Sequence, residues 1–554
     1  MPRATRTTTP REAPAIPVRR SSSPAARPRR RTRRLRTLIT TGTAAGALAV
    51  AGCAPGNPTS AAGGSGTFTL AVPTDLPSFD PYASNAGTSQ MGQLAYLAYD
   101  SLVNQNDDGS FATGLAESWE VKPTATSFHL RHGITCSDGT KLTARQVATA
   151  LNYVGDPKNL TPYLGTMTPS VPYHVTGDDS TGEVAVTTTS PYGFVMQTLG
   201  NIPIVCGKGL ADRSVLAERT SGTGPFVLKS STQTSYTFTV REGYHWGPDG
   251  ASTSAPGTPD TLVLSEVPNF TTAASQLLAG RLSAARMNGP DAQRLTAARL
   301  PLSSVPYQKA ALGFNERPDR ITSDVRVRRA LAAALDSASI AKVLDGKPAQ
   351  GIRAGTPLPC PGADARTALP AFDPAEAERI LDDAGWTRTG GGIRQRGGKK
   401  LSITVYFASD DAVLELIQQY WKEIGVGAVL HRATPQEAQD MYAKGTGDFD
   451  VSYGGYVLPL PSAFAPYVSG PVPPKGMNFL GVTNDEYDRE AARASALTGD
   501  KACPLWKKAE TALMRRADFL PLADANVQLF SSRNAEAHAN SLRIPVPTSL
   551  RLVK

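Results

Sequence analysis

The chain has 554 residues, of which 40% are hydrophobic and 19% are charged, and its formal net charge at pH 7 is +9. This composition is typical of globular proteins, and the length is too great for one hydrophobic core, so we expect two or three compact units. Of the 57 basic and 48 acidic residues, twelve arginines and one glutamate lie within the first 36 residues, which leaves 45 and 47 for the rest. The near-neutral remainder argues against nucleic acid as a partner.

The amino-terminal residues have the layout of an export signal. The arginine-rich residues 29–36 are followed by sixteen uncharged residues, Thr37 to Gly52. A permanent membrane span needs ~20 strongly apolar residues, and this stretch is both shorter and diluted by Thr and Gly. We predict that residues 1–52 are a signal peptide. The pair Arg33-Arg34 leaves twin-arginine export open, but Arg36 stands where that signal has an apolar side chain, so general secretion is favoured.

A cysteine follows the apolar stretch directly. Val50-Ala51-Gly52-Cys53 resembles a bacterial lipobox, in which the thiol accepts diacylglycerol. We predict lipidation at Cys53 and a polar, flexible tether over residues 53–66, with a plain signal peptide as the alternative. Lipid chains would hold the protein at the outer face of the cell membrane without spanning it.

Four other cysteines follow, at Cys136, Cys206, Cys360 and Cys503. An even number of cysteines in an exported chain favours two disulfides. A metal site is disfavoured because no two of these cysteines form a C-x-x-C pair. Three connectivities are possible. Pairing Cys136 with Cys206 and Cys360 with Cys503 is favoured because each pair falls within one predicted region, and free thiols are the alternative.

Strand and helix patterns alternate along the mature chain and predict an α/β fold. Residues 68–72, 128–131 and 236–240 have strand composition, and apolar and polar residues alternate from Leu401 to Phe407. Asp373-Pro374-Ala375-Glu376 is typical of a helix start, with an N-cap acid and a first-turn proline. Apolar residues at helical spacing after Val413 predict a helix that buries one face.

A set of short segments follows in a fixed order along the mature chain. They are Leu115–Glu120, Phe128–Gly133, Ser137–Thr140, Gly222–Phe226, Phe314-Asn315, Asp324–Leu331, Phe372–Pro374 and Gly445–Tyr456. Taken together, these segments resemble extracellular solute-binding protein family 5, the receptors of dipeptide, oligopeptide and nickel importers. The resemblance covers residues 67 to about 540. Within it, Arg326, Arg328 and Arg329 are interpreted as surface and salt-bridge residues of a helix start.

The resemblance implies a two-lobed, periplasmic-binding-protein-like α/β fold with a small appended subdomain. Lobe I is predicted over residues 67–267, with an inserted subdomain at about 100–200, and lobe II over residues 268–518. Residues 519–554 are predicted to return to lobe I. The first crossing is placed at Val267-Pro268-Asn269. Closure of the lobes around a ligand would be a hinge motion.

The same resemblance implies the substrate-binding lipoprotein of an ABC importer, which takes a peptide or peptide-like solute outside the cytoplasmic membrane and passes it to permease and ATPase subunits. We expect a monomer without cofactor or catalytic activity. A receptor for a nickel chelate or another non-peptide solute is the alternative within the family. An exported hydrolase is the alternative from another class, but H-E-x-x-H and G-x-S-x-G are both missing. His129 and His132 are disfavoured as metal ligands, because strand side chains alternate faces.

Candidate ligand contacts follow from position in the family-like segments, and packing is the alternative for each. They are Asn85, Phe407, Tyr453, Gly455, Tyr456, Val457 and Asn478.

Many relatives hold the ligand's amino group with an aspartate three residues after an aromatic residue. Here the aromatic position is Tyr456 and the acid position is Pro459. A buried ammonium without a partner costs several kcal/mol, so unmodified dipeptides are predicted to bind weakly. Asp410 and Asp411 are the candidates for a replacement anchor.

Overall fold

A computed structural model describes residues 66–73, 78–83, 96–106, 108–161, 163–165, 167–353, 359–388, 390, 392–408, 412–455, 460–497, 501–540 and 545–553. Residues 62–554 form one compact unit. The predicted signal peptide, Cys53 and most of the tether lie outside the described residues, as do Asn85, Asp410, Asp411 and 456–459. Within the described ranges, the helices are too short or too polar to cross a membrane.

The strands are β1 (Thr67–Val72), β2 (Val103–Gln105), β3 (Phe111–Thr113), β4 (Ala116–Val121), β5 (Ala125–Leu130), β6 (Tyr173–Asp178), β7 (Glu183–Thr188), β8 (Phe226–Ser231), β9 (Ser235–Val240), β10 (Thr261–Glu266), β11 (Ala284–Met287), β12 (Leu302–Phe314), β13 (Lys347–Pro348), β14 (Gln395–Arg396), β15 (Lys399–Lys400), β16 (Ser402–Phe407), β17 (Gly427–Arg432), β18 (Val451–Gly454), β19 (Phe519–Ser531), β20 (Ala535–Glu536) and β21 (Arg551–Leu552). The α-helices are α1 (Ala144–Gly155), α2 (Gly207–Ala211), α3 (Phe270–Leu278), α4 (Gly289–Ala297), α5 (Val325–Ala333), α6 (Ser337–Val343), α7 (Ala365–Ala368), α8 (Pro374–Asp383), α9 (Val413–Glu423), α10 (Pro435–Lys444), α11 (Pro461–Val468), α12 (Asp485–Ser495) and α13 (Cys503–Arg515).

One large mixed sheet organises the molecule, in the order β17-β16-β18-β12-β19-β11-β1-β10-β9-β8. The antiparallel strands β12 and β19 are 13 residues long each and run through both halves of this sheet. The carboxyl half of β12 pairs with β18, while the carboxyl half of β19 pairs with β11. Strands β12 and β19 thus belong to both halves of the sheet and join them. The predicted two-lobed α/β fold is confirmed.

The middle of the two connecting strands is irregular. The register shifts between Gln308 and Ala311 of β12, and each strand contains a proline, Pro306 and Pro521. Bulges and prolines weaken a ladder and let a strand bend. The lobe boundaries remain a prediction, but β11 lies between β1 and β19, which favours a first crossing within β12 over one at 267–269.

A four-stranded antiparallel sheet, β4-β5-β7-β6, lies within the range predicted for the inserted subdomain. Helix α1 covers it and buries Val147, Leu151 and Val154. The helix begins where the Thr143 side chain accepts a hydrogen bond from the Gln146 amide, a standard N-cap. Of the four strands, β5 corresponds to the predicted strand at residues 128–131.

The other half of the large sheet has parallel strands packed against helices. Ile403 and Val405 of β16 are buried in agreement with the predicted alternation, but the alternation ends there, because Tyr406 is buried as well and Phe407 is partly exposed. Helix α8 begins at the predicted cap, because the Asp373 side chain accepts a hydrogen bond from the Glu376 amide. Helix α9 buries Trp421, whose indole N–H donates to the Leu331 carbonyl at 3.0 Å. Truncation of a core tryptophan of this kind typically costs about 3–5 kcal/mol.

Two disulfides connect residues that are distant in the chain. Cys136 is bonded to Cys206, and Cys360 is bonded to Cys503 at the start of α13. These are the pairings that the sequence favours. Close to the second disulfide, the fully buried Arg353 guanidinium donates to Glu510 at 2.5 Å and to the Cys360 carbonyl at 3.0 Å.

A buried ionic cluster lies beside the carboxyl end of β12 and the amino end of β19. The Arg328 guanidinium is 2.6 Å from Asp518, next to the start of β19, and 3.1 Å from Glu316, just beyond β12. Asn484 donates to the other oxygen of Asp518 at 2.6 Å. Burial and the neighbouring Asp518 raise the pKa of Glu316 to about 9. The prediction that Arg328 lies at the surface is wrong, because its side chain is fully buried, whereas the predicted salt bridge is present as the ion pair with Asp518.

Candidate functional site

A cavity of about 210 Å³ opens at one edge of the large sheet. Strands β1, β10 and β11 run parallel to one another, and their carboxyl ends meet at this edge. In open α/β sheets, ligands bind outside the carboxyl ends of the strands. The cavity therefore occupies the position expected of a ligand site. It is lined by Ala71, Val72, Pro73, Val267, Phe270, Ala273, Arg286, Met287, Asn288, Tyr307, Asn526, Val527 and Gln528.

The connecting strands form one wall of this cavity. Tyr307 comes from β12, and Asn526 to Gln528 come from β19. The two strands are paired here, with Pro306 opposite Asn526. A ligand in the cavity would thus touch the segments that join the two halves of the sheet, next to their irregular middle.

The described lining of the cavity is mostly apolar and carries a small number of polar side chains. Arg286 is the charged residue among the described lining residues, and Asn288, Asn526 and Gln528 add side-chain amides, which can both donate and accept. Helix α4 begins after Asn288 without a side-chain cap, so backbone N–H groups at this start are left for other acceptors. Such a lining suits a solute with apolar parts and a few hydrogen-bonding groups.

The second half of the sheet presents a different surface beyond the connecting strands. Phe407 on β16 and Tyr453 on β18 are direct neighbours in register. Tyr453 is buried in the hydrophobic core, whereas a Cβ added to the next residue, Gly454, would meet open space. Gly455 lies against β12, and a Cβ there would stand 2.8 Å from the Lys309 carbonyl oxygen. Only glycine permits this approach.

The distance between the cavity and the region around Gly454 can be counted in residues along β12. Gly454 is paired with Ala311, four residues beyond Tyr307 of the cavity. At about 3.3 Å per residue, the two positions are about 13 Å apart along the strand. An extended chain of about four residues spans that distance.

The predicted contact residues fall into three groups. Phe407, Tyr453 and Gly455 are brought together at β16 and β18. Asn478 lies apart in a loop, where its amide donates to the carbonyls of Gly470 and Val482 and accepts from the Val482 amide. These bonds favour a structural role for Asn478. Asn85, Tyr456 and Val457 lie outside the described residues.

The cavity residues themselves were missed by sequence reasoning. Val267-Pro268-Asn269 lies between β10 and α3, and Asn288 lies between β11 and α4, where it is followed by Gly289. That order, a strand followed by Asn with Pro or Gly, is a signal for a strand-to-helix turn, and such turns carry ligand sites in α/β folds. The first segment was instead interpreted as a crossing between lobes.

A second cavity of about 230 Å³ surrounds a satisfied carboxylate in the first half of the molecule. Asp100 accepts hydrogen bonds from the Tyr244 hydroxyl, the Thr223 hydroxyl and the Trp246 indole at 2.8–3.0 Å. Burial raises the pKa of Asp100, and these donors oppose that shift. Because the carboxylate is already used by the fold, this larger cavity is a weaker candidate than the one at the strand ends.

Comparison with known proteins identifies the family of the chain. Residues 110–473 match the family model described as bacterial extracellular solute-binding proteins, family 5. Protein XP55 of Streptomyces lividans is 31% identical over 337 residues, which cover 57% of either chain. The nickel-binding periplasmic protein of Escherichia coli is 25% identical over 369 residues, which cover 63% of this chain and 67% of that protein.

Solved structures share the fold at low sequence identity. A substrate-binding protein from Microbacterium hydrocarbonoxydans, complexed with 4-hydroxybenzoate hydrazide, aligns with a TM-score of 0.70 and 23% identity over 88% of this chain and 100% of its own. The oligopeptide-binding protein AppA of Bacillus subtilis, in complex with a nonapeptide, aligns with a TM-score of 0.68 and 20% identity over 88% and 99%. These likenesses show the architecture.

Proposed function

Because the chain belongs to family 5 of the bacterial extracellular solute-binding proteins, we propose that it captures a peptide or peptide-like solute outside the cytoplasmic membrane and delivers it to the permease and ATPase of an ABC importer. The observation that carries this proposal is the cavity at the strand ends beside the connecting strands. A solute held there gains contacts to both halves only when they approach each other. Such contacts shift the population toward the closed form.

Contacts between the two halves support closure of this kind. The Tyr192 hydroxyl lies 3.4 Å from the Ser462 hydroxyl. In addition, a Cβ at Gly165, beyond α1, would lie 3.3 Å from the Met477 sulfur. The first half and the second half thus meet at points away from β12 and β19.

A peptide fits the dimensions and chemistry of this region. The distance of about 13 Å along β12 corresponds to about four extended residues. Side-chain amides of Asn288, Asn526 and Gln528 can pair with peptide N–H and C=O groups irrespective of the peptide's sequence. The nonapeptide complex of AppA, which has the same fold, shows that the architecture can hold such a guest.

A nickel chelate is the second candidate, and it rests on the resemblance to the nickel-binding protein of Escherichia coli. Across the described residues there is no group of three or more His, Cys, Asp or Glu side chains placed to hold a metal ion. A metal bound in the described part of the cavity would therefore bring its own ligands. The hydrolase alternative has no feature in its favour, and the family consists of binding proteins.

Membrane attachment belongs to the same proposal. The order of basic, apolar and Gly-Cys residues that ends at Cys53 supports cleavage after residue 52 and lipidation of the new terminus. Residues 53–66 would then tether a monomeric receptor to the outer face of the membrane.

A variant that fills the cavity tests whether the solute binds there. Asn526 is exposed and lines the cavity, so Asn526→Trp should block it without unfolding the chain. Calorimetric titration with a tri- to pentapeptide pool should show binding to the wild type and at least tenfold weaker binding to this variant. Asn534→Trp, at an exposed turn, is the matched control and should bind normally. Equal binding by both variants, or peptide cleavage, would contradict the proposal.

A further inference from the structure

We propose that Asp524 and Gln308 form a proton-dependent clasp between the two connecting strands, β19 and β12. A proton on the Asp524 carboxyl lets it donate to the side-chain carbonyl of Gln308, and this bond holds the strands in the conformation in which the two halves meet. The clasp itself does not depend on the proposed function. Its consequence for solute binding rests on that function, because the clasp makes closure, and with it the affinity for the solute, dependent on pH.

The two side chains lie opposite each other at the irregular middle of the connecting strands. Gln308 is paired with Asp524 in the register of β12 and β19, directly before the register shift between Gln308 and Ala310. Opposite residues of an antiparallel pair project from the same face of the sheet, with their Cβ atoms about 5 Å apart. A change in the angle between the halves bends the strands here, because both halves share β12 and β19 and a bulge is where a strand bends.

A single segment of the chain, the residues after β13, binds both side chains. The backbone N–H of Gln350 donates to Oδ2 of Asp524 at 2.9 Å. Nε2 of Gln308 donates to the carbonyls of Gly351 and Ile352, at 3.2 and 2.6 Å. Three consecutive residues thus hold the two side chains over the same face. The two bonds from Nε2 also fix the orientation of the Gln308 amide, so its Oε1 cannot exchange places with a donor.

One oxygen of each side chain is buried and unpaired. Oδ1 of Asp524 and Oε1 of Gln308 are shielded from water, and neither accepts a hydrogen bond from the described residues. Two unpaired acceptors beside each other are costly, and a negative charge on one of them adds to the cost. A proton on Oδ1 turns this acceptor into a donor and satisfies both atoms. In agreement, burial raises the pKa of Asp524 from 3.8 to about 6, against the opposing effect of the Gln350 N–H.

The cations near this pair are held by other groups or lie in water. The Lys309 ammonium, on β12, donates to the Leu344 carbonyl at 2.5 Å. The Arg353 guanidinium, after β13, is paired with Glu510 of α13. Burial and the Gln350 N–H are accordingly the causes that set the pKa of Asp524. The remaining ionisable side chains of α6, of β13 and of the turn between them, which pack against β19, are exposed, and they are Lys342, Asp345 and Lys347.

The sign of the pH effect follows from the burial of Asp524. In the conformation described above the halves meet and its pKa is about 6, whereas a carboxyl that bending of the strands exposes to water returns toward 3.8. The closed form therefore binds the proton more tightly, and acid favours it. Since pH 5 is one unit below the pKa of the closed form, lowering the pH from 8 to 5 strengthens solute binding by up to about tenfold.

Small-angle X-ray scattering of the purified protein without added solute tests the clasp itself. The radius of gyration of the wild type should be smaller at pH 5 than at pH 8. Asp524→Asn should keep the smaller value at both, because an amide at this place donates to Gln308 without a proton. Asp345→Asn, the same change at an exposed position two residues before β13, is the matched control and should follow the wild type.

Calorimetric titration with the tri- to pentapeptide pool at the same two pH values tests the consequence. The Kd of the wild type should rise by about threefold to tenfold between pH 5 and pH 8, and that of Asp524→Asn by less than about twofold. Comparison of the two proteins cancels the titration of the peptides' own ends. Equal radii of the wild type at both pH values, or an undiminished pH dependence in Asp524→Asn, would overturn the clasp while leaving the proposed function intact. Failure of every peptide to bind would contradict the proposed function, whereas the scattering would still decide on the clasp.

Discussion

Replacing Glu316 by glutamine should make the protein more stable at neutral pH and should flatten the pH dependence of its stability. Glu316 shares the buried cluster of Arg328 and Asp518, and its side chain is only 2% exposed. Burial first, and the negative charge of Asp518 second, raise its pKa from 4.5 to about 9. In the folded protein this carboxyl group is therefore protonated at pH 7, whereas in the unfolded chain it is ionised.

The sign of the effect follows from proton linkage. Below pH 4.5 the group is protonated in both states and contributes its full stability, which is then lost as the pH rises toward 9. The loss approaches about 1.4 kcal/mol per pH unit, or roughly 3 kcal/mol between pH 5 and pH 7. A glutamine has nearly the same shape as the protonated acid and does not ionise when the chain unfolds. It should recover most of that loss.

Urea unfolding at pH 5, 6, 7 and 8 measures this difference, because the titration of groups distant from Glu316 cancels between the wild type and Glu316→Gln. The free energy of unfolding of the variant should exceed that of the wild type by an amount that grows with pH. Glu242→Gln, at an exposed position, is the matched control and should show no such trend. A constant difference from pH 5 to pH 8, or a variant less stable at every pH, would refute the reasoning.

Three further predictions concern the disulfides, the second ionic pair and the anchor. Arg353→Met should lower the free energy of unfolding by about 3–5 kcal/mol, because it leaves the Glu510 carboxylate buried without its cation; a loss below about 1 kcal/mol in urea titrations would contradict this. Replacing Cys360 and Cys503 together by serine should lower it by about 2–4 kcal/mol, and thiol counting on the denatured, unreduced wild type should find neither cysteine free. Cys53→Ser should move the protein from the membrane fraction to the medium, and retention in the membrane would count against lipidation.

The sequence was sufficient for the architecture and for local elements. Ordered family-like segments predicted the two-lobed fold, and Asp373 and the alternation from Leu401 to Phe407 predicted α8 and β16 nearly to the residue. Caps and alternation are local signals, which depend on neighbours within one or two turns. They could not show that β11 would insert between β1 and β19, because that pairing joins residues more than 200 positions apart.

The site was harder to predict for the same reason. The described cavity lining comes from five separate stretches, 71–73, 267–273, 286–288, Tyr307 and 526–528, and their local signal is limited to the strand-to-helix turns at 267–269 and Asn288. The environment of Arg328 was also not predictable from the residues near it in the sequence. Its position in a polar helix start indicated a surface residue, and only the folded chain places Asp518 and Glu316 beside it.

Native mass spectrometry of the gently purified protein tests most directly whether the chain is a solute receptor. We expect one small molecule bound per protein, released unchanged on unfolding, and able to rebind with a rise in the melting temperature, because a ligand that binds only the folded state stabilises it. A peptide or a peptide-like compound is the expected identity. A protein that carries nothing, gains no stability from a peptide pool, or converts the added compound into products would contradict the account.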